Sequence, residues 1–144
     1  VLDAYVALQT ALAADEEAGA TGAAERLASA LDAVDMGGLD HAAHTAWMAD
    51  LAVLDPAVVA VAGADDIEGI REDFEPLSDA LWTAVRRYRP DPGRPVRLFH
   101  CPMAGPDGAN WLQFDTTTAN PYYGAAMLRC GSQTDTLAVG GEAR

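Results

Sequence analysis

Apolar residues recur every three or four positions through most of the first 88 residues, which is the spacing of amphipathic helices. The clearest stripe predicts a helix of about six turns that is N-capped by Asp65 or Asp66. Pro76 within it should kink the helix or cost one hydrogen bond. The members of this stripe are Ile67, Ile70, Phe74, Leu77, Leu81, Val85 and Tyr88.

Weaker stripes predict two helices at the start of the chain. The first carries Leu2, Leu8 and Leu12. Asp15 is placed to cap the second, which we expect to begin nearer Thr21 because glycines weaken its first turns.

A third helix is predicted over residues 40–54. Asp55-Pro56 then has the pattern of an N-cap followed by proline at the first helical position. We therefore expect a separate short helical segment that ends near Gly63.

Short connections between amphipathic helices favour an up-down antiparallel four-helix bundle, so the predicted fold class is mainly α. The proline-rich run at residues 90–95 ends this pattern. Beyond it, residues 96–99 and 111–114 are predicted to be extended. Asn120-Pro121 predicts the start of a short helix that Gly131 closes.

One domain over residues 1–131 is expected, with bundle helices in 1–89 and a small C-terminal unit in 96–131. Residues 132–144 are expected to form a flexible tail.

The charge balance narrows the range of partners. The chain has 144 residues, a formal net charge of −13 and no lysine. Such a surface disfavours nucleic acid and anionic lipid, because neither releases counterions to an acidic protein. No run of about 18 apolar residues is seen, so we expect no membrane insertion by this segment.

Soft donor atoms are concentrated in the last third of the chain. Thiolate, thioether and imidazole are the ligands that Cu(I) and Ag(I) prefer. Cys101 and Met103 share one side of an extended segment, and Met127 and Cys130 share one face of a helix. A disulfide between the two cysteines is the alternative, and it would stabilise the fold by roughly 3–4 kcal/mol. The candidate metal ligands are His100, Cys101, Met103, Met127 and Cys130.

A secondary candidate metal site lies on the third predicted helix. His41, His44 and Met48 fall along one stripe, although an ordinary exposed polar face explains them more simply. His100 is poorly placed as a base for Cys101, because neighbours on an extended segment point apart. No phosphate-binding or zinc-protease motif occurs.

Several segments together resemble a domain of unknown function found in bacterial periplasmic proteins and at the C-terminus of the adaptor subunits of RND-type heavy-metal efflux pumps. The similar segments are FHCPMA at 99–104, GANWLQ at 108–113, NPYYG at 120–124, MLRCG at 127–131, YVALQTALAAD at 5–15 and REDFEPLS at 71–78.

The resemblance implies a helical bundle in the periplasm or otherwise outside the cytoplasm, an association with copper or silver, and no enzymatic activity. It points to an efflux-pump or envelope protein as partner. The expected function is soft-metal binding or sensing through the five donors, and the alternative is a disulfide-stabilised protein-interaction module.

Overall fold

The computed structural model describes residues 1–138, which form four α-helices followed by a small antiparallel sheet. A 3-10 helix at Gly124–Met127 lies between the second and third strands. The helices are α1 (Leu2–Ala13), α2 (Glu17–Asp32), α3 (His41–Gly63) and α4 (Ile67–Tyr88). The strands are β1 (Val96–Cys101), β2 (Ala109–Gln113) and β3 (Ser132–Leu137).

Helix α4 confirms the prediction from its apolar stripe. The Asp66 side chain accepts a hydrogen bond from the Gly69 amide at 2.8 Å, which is the expected N-cap. Apart from Ile67 and Tyr88, which are half-buried, the stripe residues are buried in the core. Pro76 lies inside the helix on its exposed side.

The predicted break at Asp55-Pro56 is wrong, because α3 is one continuous helix with Pro56 inside it. Leu54, Val58 and Val61 are all buried and extend one apolar stripe across the proline. An interior proline costs about 3 kcal/mol. Burial of each of these side chains contributes about 1.5–3 kcal/mol, so packing outweighs the proline.

As a continuous helix, α3 is long and apolar enough to cross a membrane by length and composition. The expectation of no membrane insertion rested on the absence of a run of about 18 apolar residues, whereas α3 meets a criterion of mean hydropathy that includes its polar residues. One helix of this kind is weak evidence for a membrane span, because apolar helices of soluble proteins pass the same test. Its outward face is unusually apolar, with Met48, Val53 and Val59 exposed to 45%, 60% and 62%.

Helix α2 begins at Glu17 rather than near Thr21, and Asp15 is not its cap. Ala20, Ala23 and Ala24 are fully buried against neighbouring residues, so tertiary packing stabilises turns that the glycines would weaken. Asp15 instead has a positive φ of 58° in the link between α1 and α2.

The sheet has the strand order β2-β1-β3, and both pairs are antiparallel. The flexible tail expected from residue 132 is therefore wrong for β3, whose Leu137 is buried opposite Val96. β3 is stabilised by pairing with the second edge of β1, and Thr136 Oγ1 donates to the Val96 carbonyl at 3.3 Å. Residues 139–144 of the expected tail lie outside the described residues.

The sheet packs on α1 and α4, and the Tyr122 ring joins them, since it meets Phe74 of α4 at 5.8 Å and Trp111 of β2 at 6.1 Å. Aromatic stacking also occurs within each layer. Tyr5 stacks on Phe74 with ring centroids 5.0 Å apart, and Phe99 stacks on Trp111 at 5.5 Å. The Tyr5 hydroxyl also accepts a hydrogen bond from the Leu112 amide of β2 at 3.1 Å. Helices and sheet therefore share one core.

A buried arginine of α4 connects the helices to the C-terminal unit. Arg71 Nη2 donates to the Leu12 carbonyl at 2.8 Å and to Asp15 Oδ1 at 2.7 Å. Its Nε donates to the Pro121 carbonyl at 2.8 Å. The other carboxylate oxygen of Asp15 accepts from the Ala125 amide at 2.9 Å.

The substitution Arg71→Met should lower the free energy of unfolding by about 2–4 kcal/mol, since it leaves buried carbonyls without their charged donor. Urea denaturation followed by circular dichroism measures the loss. Arg86→Met, at an exposed position of the same helix, is the matched control and should change stability by less than about 0.5 kcal/mol. Equal effects of the two substitutions would contradict the anchoring role of Arg71.

Candidate functional site

The two cysteines meet at the end of the sheet. Cys101 is the last residue of β1 and is fully buried, whereas Cys130 precedes β3 and is half-buried. Their sulfur atoms are 3.1 Å apart, and both residues are free thiols. The structure thus brings two of the five predicted donors into direct contact.

The sulfur separation lies between those of two chemical states. A disulfide bond has a length of about 2.05 Å. Two thiolates on one metal ion, each at about 2.3 Å, would hold their sulfurs roughly 3.8–4.6 Å apart, depending on the angle at the metal. The two sulfur atoms would therefore have to move about 1 Å closer to form a disulfide, or about 1 Å further apart to bind one metal ion.

Asn120 organises the segment that carries Cys130. Its buried side chain accepts hydrogen bonds from the amides of Tyr122 and Tyr123, and its Nδ2 donates to the Cys130 carbonyl at 2.9 Å. The cap predicted at Asn120 is therefore present, but turns and a 3-10 helix follow it instead of the expected α-helix. Local sequence predicts the turn at Asn120 but not the bond from its side chain to the Cys130 carbonyl, which is distant along the chain.

Gly131 fixes the approach of Cys130 to β1. Its φ of +116° disfavours any other residue. A Cβ at this position would lie 2.7 Å from Trp111 Cη2 and 2.9 Å from the His100 carbonyl oxygen. Gly131 does not close a helix as predicted, since the 3-10 helix ends at Met127; it allows the backbone to pass against the sheet.

The environment keeps the Cys130 thiol protonated. A hydrogen bond with the Cys101 thiol is the main cause that raises the pKa of Cys130, and burial adds to it. A hydrogen bond from the Met103 backbone acts in the opposite direction but is weaker. The thiolate, which is the form that binds metal and attacks electrophiles, is therefore scarce at neutral pH.

Neither the His100 ring nor the Met103 thioether is placed as a partner of the thiol pair, although the Met103 backbone contacts Cys130. Alternation along β1 directs the His100 ring away from Cys101, and its Nδ1 is 2.7 Å from Asn110 Oδ1. The Met103 side chain is 61% exposed. Met127 is half-buried, and its carbonyl accepts a hydrogen bond from the Cys130 amide at 3.0 Å.

No cluster of three or more His, Cys, Asp or Glu side chains suited to a metal ion occurs within residues 1–138. The secondary candidates His41, His44 and Met48 are exposed on α3. The geometry thus singles out Cys101 and Cys130 among the predicted metal ligands.

Alkylation of Cys130 by iodoacetamide should reach half its maximal rate above pH 8.5, the approximate ordinary pKa of a cysteine thiol. Mass spectrometry of timed samples from pH 6 to 11 measures this profile. Cys101→Ala removes the main cause of the raised pKa, so its profile should move to lower pH. Identical profiles in the two proteins would contradict the coupling of the thiols.

Comparison with known proteins gives a family match for the helical part of the chain. The family described as "Protein of unknown function (DUF3347)" matches residues 1–93, which contain all four helices. The C-terminal motifs, which gave the sequence resemblance its most specific segments, lie outside this match. No curated protein and no solved structure matches the chain. By the extent of the family match, the chain belongs to the DUF3347 family.

Proposed function

We propose that this chain is a non-enzymatic domain that works in the periplasm, where its Cys101–Cys130 dithiol binds or senses a soft metal ion, Cu(I) or Ag(I). The observation that supports the proposal is the 3.1 Å contact between two free thiols at the buried end of β1. Periplasmic location and the link to heavy-metal handling follow from the resemblance to efflux-adaptor domains.

The donor set suits a soft ion better than zinc. Zinc sites normally have four ligands, or three and a water, drawn from Cys, His, Asp and Glu. Only two such side chains meet here within the described residues. Cu(I) and Ag(I) are satisfied by thiolate sulfur at low coordination number, and Met127 is the candidate for an added thioether.

Metal binding and oxidation compete for the same sulfurs. Binding of one ion to both cysteines releases two thiol protons. Disulfide formation also releases two protons and transfers two electrons to an oxidant, such as the disulfide of a thiol oxidoreductase. The reduced domain is therefore the metal-binding form, and oxidation abolishes binding.

The reduced protein should take Cu(I) from a weak chromogenic chelator at a ratio of one ion per chain. Loss of a group that only hydrogen-bonds to a metal ligand already costs about 10–100-fold in metal affinity, so Cys101→Ser and Cys130→Ser should each cost at least that much. Met103→Leu, which alters an exposed thioether, is the control that should bind normally.

No Cu(I) transfer to the reduced wild-type protein would refute the proposal. Equal transfer to wild type and to Cys101→Ser would place the metal elsewhere. A count of free thiols, together with metal analysis of protein isolated from its own compartment, shows which of the two states exists there.

An interaction module is the second candidate, and the outward face of α3 favours it. The side chains of Met48, Val53 and Val59 are exposed along the outward half of α3, and the exposed Asp55 lies one turn before Val59. We infer that its partner is an efflux-pump or envelope protein with an apolar surface bordered by basic residues. A Cys101–Cys130 disulfide would stabilise such a module.

We also infer that the four helices form an up-down antiparallel bundle. Helices α1 and α2, α2 and α3, and α3 and α4 pack as consecutive pairs. The connections between them are short, as such a topology requires. This arrangement leaves one side of α3 for a partner.

A photo-crosslinking amino acid at position 59 should form one discrete protein adduct in the native cell. The same group at the exposed position 72 of α4 is the control and should form none. Val53→Asp should remove the adduct at position 59, because a charge opposes burial of the apolar surface. An adduct that persists in this variant, or equal adducts at 59 and 72, would contradict docking through α3.

A further inference from the structure

An apolar cavity of about 420 Å³ opens where the start of α1, the end of α2, the middle of α3 and the end of α4 come together. Its inner wall contains the buried side chains of Leu31, Trp47, Leu54, Leu81 and Val85. The volume lies within the range of about 300–1,000 Å³ that is usual for small-molecule sites. None of its lining residues belongs to the C-terminal unit.

Aromatic rings form part of the wall. Trp47 and Tyr88 meet edge to face with ring centroids 5.5 Å apart. The Tyr88 hydroxyl donates to Asp50 at 2.9 Å, and burial followed by the nearby Asp50 carboxylate raises the pKa of Tyr88 to about 12. Tyr88 is therefore a neutral, fixed ring at neutral pH, and aromatic rings attract organic cations.

The rim of the cavity carries negative charge. Asp35 and Asp91 are exposed and line it; Asp3 lines it as well, but its carboxylate is paired with Arg94 at 3.8 Å. The lining residues include no Lys, Arg or His. Asp35 accepts from the Gly37 amide and Asp91 from the Gly93 amide, both within turns that set the position of the carboxylates. An apolar interior below an acidic rim complements a molecule with a hydrophobic body and a cationic head.

We propose that this cavity is a binding site for a small organic cation with an alkyl or aryl body, such as a hydrophobic amine or quaternary ammonium compound. The body lies among Leu54, Leu81 and Val85, and the cationic head lies at the rim beside Asp35 and Asp91. This site is independent of the thiol pair and extends beyond the proposed metal function.

Two probes with one body and opposite charge test the charge preference. They are 4-hexylphenyltrimethylammonium and 4-hexylbenzenesulfonate, titrated by calorimetry and by tryptophan fluorescence, since Trp47 lines the cavity. From the affinity per heavy atom that is usual for small organic ligands, a cation of this size should bind with a Kd below about 1 mM. The sulfonate should bind at least about tenfold more weakly.

The double variant Asp35→Asn/Asp91→Asn tests the rim. Asparagine keeps an oxygen that accepts from the glycine amide, so the turns are retained while two charges are removed. Affinity for the ammonium probe should fall by about three- to tenfold. Asp65→Asn/Asp107→Asn removes two exposed charges away from the cavity and is the control for net charge.

Ala84→Leu tests the interior, because Ala84 is a buried lining residue and leucine reduces the free volume. It should weaken binding of the ammonium probe by about tenfold or more. Three results would each overturn the proposal: no saturable binding of the ammonium probe, equal binding of the sulfonate, or equal losses in the rim variant and its charge control.

Discussion

The buried guanidinium of Arg71 is the interaction on which the rest of the structure depends. It joins α4 to the Leu12 carbonyl near the end of α1, to Asp15 and to the turn at Pro121, so three parts of the chain meet at one side chain. The Ala125 amide and then Arg71 lower the pKa of Asp15. A carboxylate whose pKa is lower in the folded state stabilises the fold above its unfolded pKa of about 4. That contribution is lost as the pH falls through the folded value.

The same anchor determines where the thiols meet. Asp15 and Arg71 hold the segment at Pro121 and Ala125, and Asn120 at its start bonds back to the Cys130 carbonyl. Cys101 is fixed in β1, where it pairs with Ala109. We expect a change of about 1 Å in the sulfur separation to come mainly from the turn that carries Cys130, because Cys130 lies outside the strands whereas Cys101 is paired in β1.

The sequence predicted those parts of the fold in which local pattern and tertiary packing agree. Helix α4 has seven apolar positions in register and a capping aspartate, so its bounds were evident. Pro56 suggested a break because its cost is local, whereas the compensating burial of Val58 and Val61 depends on other helices. β3 is polar, and only pairing with β1 makes it a strand. For the site, the sequence identifies the types of donor atom. The direction of side chains along β1 excludes His100 from the thiol pair. The roles of Asn120 and Arg71 could not be predicted, because their partners are distant in sequence.

The apolar cavity and the Cys101–Cys130 dithiol therefore share this small fold. The family match covers the first feature but not the second. Every lining residue of the apolar cavity falls within residues 1–93, the part that defines the chain as a DUF3347 member. Cys101 and Cys130 lie beyond that part, in the unit built around the sheet. The cavity is lined by the four helices and by the segments that follow α2 and α4, whereas the dithiol also requires the sheet. The two proposed activities can accordingly fail or hold independently, because no residue of the cavity wall takes part in positioning the thiols.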